Sequence, residues 1–205
     1  MTNKQIAIFS YLDELYSNAH CELNYSKDYE LIIAVMLSAQ TTDKAVNKVT
    51  AILFDKYKSL EELANARLQD VEHIISSIGM YKVKAKNVIG ISKGLLELHN
   101  GKVPHDKEKL TKLPGVGNKT ANCVLAELFN DPYVAVDTHM QRFAKRLGIA
   151  KAKDSIEVME QKYIRFIPKE RLIKTNHQII WFGRYKCKAI SPNCENCKLI
   201  EFCKK

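Results

Sequence analysis

The sequence predicts an all-α protein built as two helical lobes with a cleft between them. Three observations carry that prediction. Apolar residues recur at three- and four-residue spacing through nearly all of the 205 residues. No segment shows the alternation of a half-buried strand, and no internal repeat or low-complexity tract interrupts the pattern. The breaks between periodic segments are short and carry Gly, Pro, Asn or an N-capping residue. Helices joined in this way pack around shared cores.

In chain order, Ile8, Phe9, Leu12, Leu15, Tyr16 and Ala19 lie on one face of a first helix. Leu31 to Leu37 is an unbroken apolar run of seven, too uniform for a surface helix and therefore central. It ends in the polar patch Ser38-Ala39-Gln40-Thr41-Thr42-Asp43, which leads into a helix bearing Val46, Val49 and Leu53. Ser59 and Glu62 form a capping-box pair, and Asp70 is the expected cap of the helix carrying Ile74, Ile75 and Ile78. Gly79-Met80-Tyr81 breaks the pattern before a longer helix, Ala85 to Leu96, closed by Asn100-Gly101. Val134-Ala135-Val136 is a short buried connector running into Asp137-Thr138-His139. A helix on Met140, Phe143, Ala144 and Leu147 stops at Gly148, Asp154 and Glu157 open another, and a last long helix starts near Glu170.

The most informative stretch is Leu113-Pro114-Gly115-Val116-Gly117-Asn118-Lys119-Thr120-Ala121. A short helix, Asp106 to Lys112, cannot continue through Pro114. Beyond it, Ala121, Val124, Leu125, Leu128 and Phe129 form one face of a second helix. Two glycines at the mouth of that helix allow a tight bend and a close backbone approach. Its first N–H groups lack internal acceptors at the positive end of the helix dipole, so the corner suits an anion. Gly-x-Gly alone equally fits an ordinary helix corner with a surface lysine.

Charge and cysteines narrow the reading. Apolar content of 46% and charged content of 27% are ordinary for a globular chain, while a net charge of +9 suits a polyanionic partner. There is no transmembrane run and no signal-peptide core, so the chain is expected in the cytoplasm, nucleoid-associated in a prokaryote. No surplus apolar face is evident, and a monomer is expected. Four of the six cysteines, Cys187, Cys194, Cys197 and Cys203, fall within the last 19 residues as C-x6-C-x2-C-x5-C. In a reducing compartment such a cluster binds metal rather than forming disulfides. Zinc and an iron–sulfur cluster both accept four thiolates, and one C-x2-C between two longer arms favours iron–sulfur. Cys123, inside the central helix, reads as an inert small residue.

Taken together, the hairpin with its lysine, Val136-Asp137-Thr138-His139 about twenty residues later and the terminal cysteine loop resemble the endonuclease III family. These are base-excision DNA glycosylases with AP-lyase activity in the helix–hairpin–helix superfamily. The resemblance implies a six-helix lobe over residues 23–130 and a second lobe from 1–22 plus 131–205. It also implies a [4Fe–4S] cluster on the cysteines of the 187–203 loop, and as partner double-stranded DNA bearing a damaged base or an abasic site. Oxidised pyrimidines are the substrates it suggests. Lys119 is the implied nucleophile at the sugar C1′, and Asp137, which also reads as a helix N-cap, its carboxylate partner. Gly115, Val116 and Gly117 form the implied phosphate grip, with His139 a further DNA contact or a packing residue. Gln40 matches the glutamine inserted when a base is flipped out, and Met80 stands in the wedge loop where leucine is common. Asn118 replaces an arginine often found before the lysine, which removes one phosphate contact.

The chemistry makes a demand of its own. A free lysine is neutral at pH 7 only about 4 × 10⁻⁴ of the time, and half-neutralising it takes about 4.6 kcal/mol. The positive helix end supplies up to about 2 kcal/mol, and desolvation by bound DNA much of the rest. A carboxylate favours the ammonium, so Asp137 is better suited to stabilising positive charge on the sugar. Two rivals share parts of the pattern. A monofunctional mismatch glycosylase lacks the hairpin lysine, and a non-catalytic hairpin module needs no lysine–aspartate pair.

Overall fold

The computed structural model describes residues 1–204. Eleven α-helices run along them: α1 (Asn3–Leu15), α2 (Asp28–Leu37), α3 (Asp43–Lys56), α4 (Leu60–Ala64), α5 (Leu68–Ile74), α6 (Tyr81–His99), α7 (Lys107–Thr111), α8 (Asn118–Phe129), α9 (Thr138–Arg146), α10 (Ile156–Phe166) and α11 (Leu172–Trp181). Among the described residues there is no strand, and no helix is long and apolar enough to cross a membrane. The chain divides into two compact units, Glu22–Phe129 and the combination of Met1–Cys21 with the chain from Asn130 onward.

The unit Glu22–Phe129 is assembled on α2. Every side chain from Leu31 to Leu37 is buried, and α3, α6 and α8 all pack on this helix. Each fully buried Leu, Ile or Val contributes about 1.5–3 kcal/mol, so the run belongs at the centre. Glu30 is buried with it. Its carboxylate accepts from the N–H and hydroxyl of Ser26 at 2.7 and 2.8 Å, which offsets the cost of burying the charge. The unit holds seven helices where the resemblance implies six, two of them being the short α4 and α5.

Three capping expectations need correction. Asp70 does not cap α5; Arg67 occupies the N-cap, and Asp70, inside the first turn, accepts two hydrogen bonds from its guanidinium at 3.0 Å. Ser59 caps α4 by accepting from the Glu62 N–H at 3.2 Å, but the Glu62 carboxylate reaches the N–H of Lys58 rather than that of Ser59. Asp154 does not open α10 either: Ser155 caps it, while Asp154 pairs with Lys162 and accepts from the Lys151 N–H. In each case a nearby cation or amide competes for the carboxylate.

In the second unit α1 and α9 pack on α11, and α10 packs on α9, around Ile8, Phe9, Leu12, Phe143 and Tyr163. The last helix begins two residues later than expected, after a 3₁₀ turn over Lys169–Arg171. It continues into one π-helical turn, Phe182–Lys186, where the Cys187 N–H donates to the Phe182 carbonyl at 2.7 Å. Such a wide turn delays the chain by one residue and re-aims the segment beyond it, here the cysteine loop.

Candidate active site and cysteine loop

The hairpin is built by close approach. Asp106 caps α7, accepting from the Lys109 N–H at 3.0 Å, and the Val116 N–H donates to the Leu113 carbonyl at 3.1 Å to close the turn. Gly115 is required twice over. Its φ is +74°, and a Cβ there would stand 2.3 Å from Nδ2 of Asn87. The hairpin rests on α6 at two mid-helix glycines: a Cβ on Gly90 would meet Pro114 at 2.9 Å, and one on Gly94 would meet Leu113 at 2.7 Å. Each costs about 1 kcal/mol of helix propensity relative to alanine, and close packing of the hairpin is what they provide. Val116 is buried beneath the turn.

Gly117 differs. Its φ is ordinary, and a Cβ on it would find nothing within 4 Å. Packing inside the lobe therefore does not require a glycine there, whereas approach of an external backbone does. Lys119 is the second residue of α8 and is exposed; among the described residues no hydrogen bond or ion pair engages its ammonium.

Gln40 and Met80 lie in the same unit as the hairpin. Both adopt left-handed backbone, with φ of 54° and 59°, and both side chains are exposed. For non-glycine residues this costs about 1–3 kcal/mol unless the surroundings impose it. At the turn before α6 it is Met80, not the adjacent Gly79, that takes the left-handed position, as the N-cap of that helix. Lys84, one turn into α6, is only 3% exposed, and its Nζ donates to the Ala39 carbonyl and the Thr41 hydroxyl at 2.8 Å each. Burial holds the pKa of this ammonium below the usual lysine range. Periodicity alone missed Lys84, because a lysine on the inner face of an amphipathic helix looks like noise.

In the other unit, Asp137 is the N-cap of α9 and accepts from the Met140 N–H at 2.8 Å. It follows the buried connector Val134-Ala135-Val136 and is itself half-buried. The fully buried Tyr163 donates its hydroxyl to the Met140 carbonyl at 2.7 Å; burial, then the Asp137 charge, push this phenol well above its ordinary range. The ring is thus a fixed, neutral prop under the capped helix end. His139 packs against Gly183, where a Cβ would come 2.6 Å from the histidine Cβ. Arg142 donates to His139 Nδ1 at 3.1 Å, which leaves the ring proton on Nε2.

Two arginines of α9 fasten the cysteine loop. Arg142 also donates to the carbonyls of Gly183 and Cys187 at 2.8 and 2.9 Å. Arg146 donates to Cys187 Sγ and to the Lys188 carbonyl, both at 3.0 Å. Cys187, Cys194, Cys197 and Cys203 are all free thiols and together line one cavity of about 30 Å³, walled by Phe143, Phe182 and Leu199 and partly open to solvent. The thiols surround this space rather than converge on a point; among the described residues no three His, Cys, Asp or Glu are placed to hold a single metal ion. Burial raises the Cys197 pKa above its ordinary value, against the opposing Leu199 N–H and the Lys186 charge.

Residues 33–169 match the profile described as HhH-GPD superfamily base excision DNA repair protein. An endonuclease III of Bacillus subtilis (strain 168) is 47% identical over 193 residues, 94% of this chain and 88% of that protein. The chain belongs to the endonuclease III family. The endonuclease III of Escherichia coli (strain K12) is 41% identical over 200 residues, covering 98% of this chain and 94% of its own. A solved structure of a trapped endonuclease III–DNA covalent intermediate superposes with a TM-score of 0.92 at 44% identity, over 100% of this chain and 97% of that one. As a member of that family, the protein is a bifunctional DNA glycosylase and AP lyase of base excision repair.

Proposed function

We propose that the enzyme removes oxidised pyrimidines from double-stranded DNA through Lys119, then nicks the strand by β-elimination. The observation that carries this is the exposed, unengaged ammonium of Lys119 in the first turn of α8, beside a glycine that internal packing does not require. In its neutral form the amine attacks C1′ and the base departs. Opening of the C1′–O4′ bond and loss of the nitrogen's proton then leave an imine, which acidifies the C2′ hydrogen. As that proton leaves, the C2′=C3′ bond forms and the C3′–O bond to the phosphate breaks. Water then hydrolyses the imine to free Lys119 and the unsaturated aldehyde. Gly115, Val116 and Gly117 grip a backbone phosphate at the positive end of α8. Gln40 and Met80 fill the space of the flipped nucleotide, His139 offers its Nε2 proton to the backbone, and the protein acts as a monomer in the cytoplasm.

Asp137 stabilises positive charge on the sugar. Its role as N-cap does not compete, since capping holds the carboxylate still. Asparagine caps a helix as well as aspartate. Asp137→Asn is therefore expected to leave the melting temperature unchanged while lowering single-turnover excision by about 10²-fold, as loss of one preorganised electrostatic group does. Thermal unfolding read beside single-turnover kinetics checks this, and equal activity of the variant excludes the role.

The four cysteines hold a [4Fe–4S] cluster. Thiols arranged around an apolar cavity fit a cage of several atoms better than one tetrahedral ion, and when bound the cluster closes the loop as a structural staple. It bears on activity by fixing Arg184, Lys186 and Lys188, the basic residues around the loop, as a rim that faces DNA.

The test is incision of a panel of duplexes, each with one damaged base or an abasic site. Expected products from oxidised pyrimidines are a 5′-phosphate and a 3′ unsaturated aldehyde. Base release with an intact strand would make the enzyme monofunctional; no reaction on any oxidised pyrimidine would overturn the substrate assignment.

A further inference from the structure

The geometry points to Lys84 as a positioning residue that fixes the two insertion side chains, Gln40 and Met80, relative to each other. This rests on the insertion role proposed for them above. The main-chain N–H of Lys84 donates to the Met80 carbonyl at 3.0 Å, while its Nζ donates to Ala39 and Thr41, the residues on either side of Gln40. One residue therefore ties together two left-handed turns lying 40 positions apart in the chain.

Packing does not explain the choice of a lysine. The neighbouring inward positions of α6 are Ala85, Val88 and Ile91, and an apolar side chain at 84 would complete that face without burying a charge. Nor does an ion pair explain it, because the two acceptors of the ammonium are a carbonyl and a hydroxyl. What the ammonium secures is the path of the backbone through Gln40. A loop free to relax would let Gln40 leave its left-handed conformation, and the side chain would then point elsewhere when the base flips out.

The test compares Lys84→Met, Gln40→Ala and the double variant on two substrates. One is a duplex with a single oxidised pyrimidine, read by single-turnover incision. The other is a single-stranded oligonucleotide with an abasic site, read by borohydride trapping, where no partner strand leaves a gap to be filled. Lys84→Met is expected to slow duplex incision about tenfold, as misplacement of a positioned group does, and to leave single-strand trapping within about twofold. Added to Gln40→Ala, it should slow the duplex reaction by less than about twofold more, because both act through one side chain. Equal losses on the two substrates, an unchanged duplex rate or full additivity would each overturn the proposal. Should Lys84→Met fail to fold, Thr41→Val removes one of the two acceptors at similar volume and is expected to show the same substrate dependence at about threefold. Wild-type duplex rates for both Gln40→Ala and Met80→Ala would sink the insertion reading itself and the proposal with it. A slow Gln40→Ala beside an unaffected Lys84→Met would sink the clamp alone.

Discussion

Lys119→Gln is expected to lower strand incision on an abasic duplex by about 10³-fold or more while leaving the protein folded. The two halves of that expectation have separate causes. Removing a nucleophile eliminates the covalent route, and what survives is the much smaller rate acceleration from binding and orientation. Stability, by contrast, has little to lose. Lys119 is exposed and no bond engages its ammonium among the described residues, so substitution falls in the class of surface changes worth within about 0.5 kcal/mol. Quenched-flow incision and thermal unfolding on one preparation measure both. A variant that unfolds early would mean that the lysine supports the hairpin instead.

Cys187→Ser is the second large effect. Cys187 is where the loop joins the body of its lobe: Arg142 holds its carbonyl and Arg146 its sulfur. The other ties are polar and near the surface: Tyr11 donates to the Asn196 carbonyl at 3.2 Å, and Lys198 pairs with Glu14 at 2.6 Å. Ile190 and Ile200 are exposed, and Leu199 is the one residue between Cys187 and Cys203 that is buried in the core. With so little apolar burial the loop is expected to depend on the proposed cluster for its shape, since a structural metal site contributes about 10 kcal/mol or more. The wild-type protein is expected to contain four iron and four sulfide with broad visible absorption. Cys187→Ser should lose both, and a protease should cut between positions 187 and 203. DNA binding should then depend less steeply on salt. If Lys186 and Lys188 each neutralise one phosphate, the log–log slope falls by about 1.8 when the loop disperses. Iron analysis, limited proteolysis and a salt titration on an abasic-analogue duplex check the three parts. Full binding and protease resistance without iron would show that the loop folds unaided.

Much of this architecture was legible in the chain because its strongest signals are local. Proline and two glycines mark the hairpin, seven apolar residues in a row mark the central helix, and four thiols in one short segment mark the terminal loop whose cavity they line. The capping errors show the limit of local reading. Asp70 and Asp154 have the right chemistry for an N-cap, but Arg67 and Lys162 claim their carboxylates instead. The unseen parts of the site depend on partners far along the chain. Gly90 and Gly94 look like helix defects until Pro114 and Leu113 are packed on them. Lys84 looks misplaced until the turn around Gln40, more than 40 residues earlier, supplies its acceptors. The left-handed backbone at Gln40 and Met80 carries no glycine to announce it, because a tertiary contact holds the loop around the first and Met80 takes the cap position beside an available Gly79. The π-helical turn before Cys187 leaves no periodic trace over five residues.

The proposed chemistry depends most on a covalent bond between one nitrogen and C1′ of the damaged nucleotide. Borohydride reduction during turnover on an oxidised-pyrimidine duplex, followed by proteolysis and mass spectrometry of the cross-linked peptide, tests it most directly. The adduct is expected on Lys119, in the peptide that begins the second helix of the hairpin. An adduct on any other lysine, or incision with no adduct at all, would contradict it.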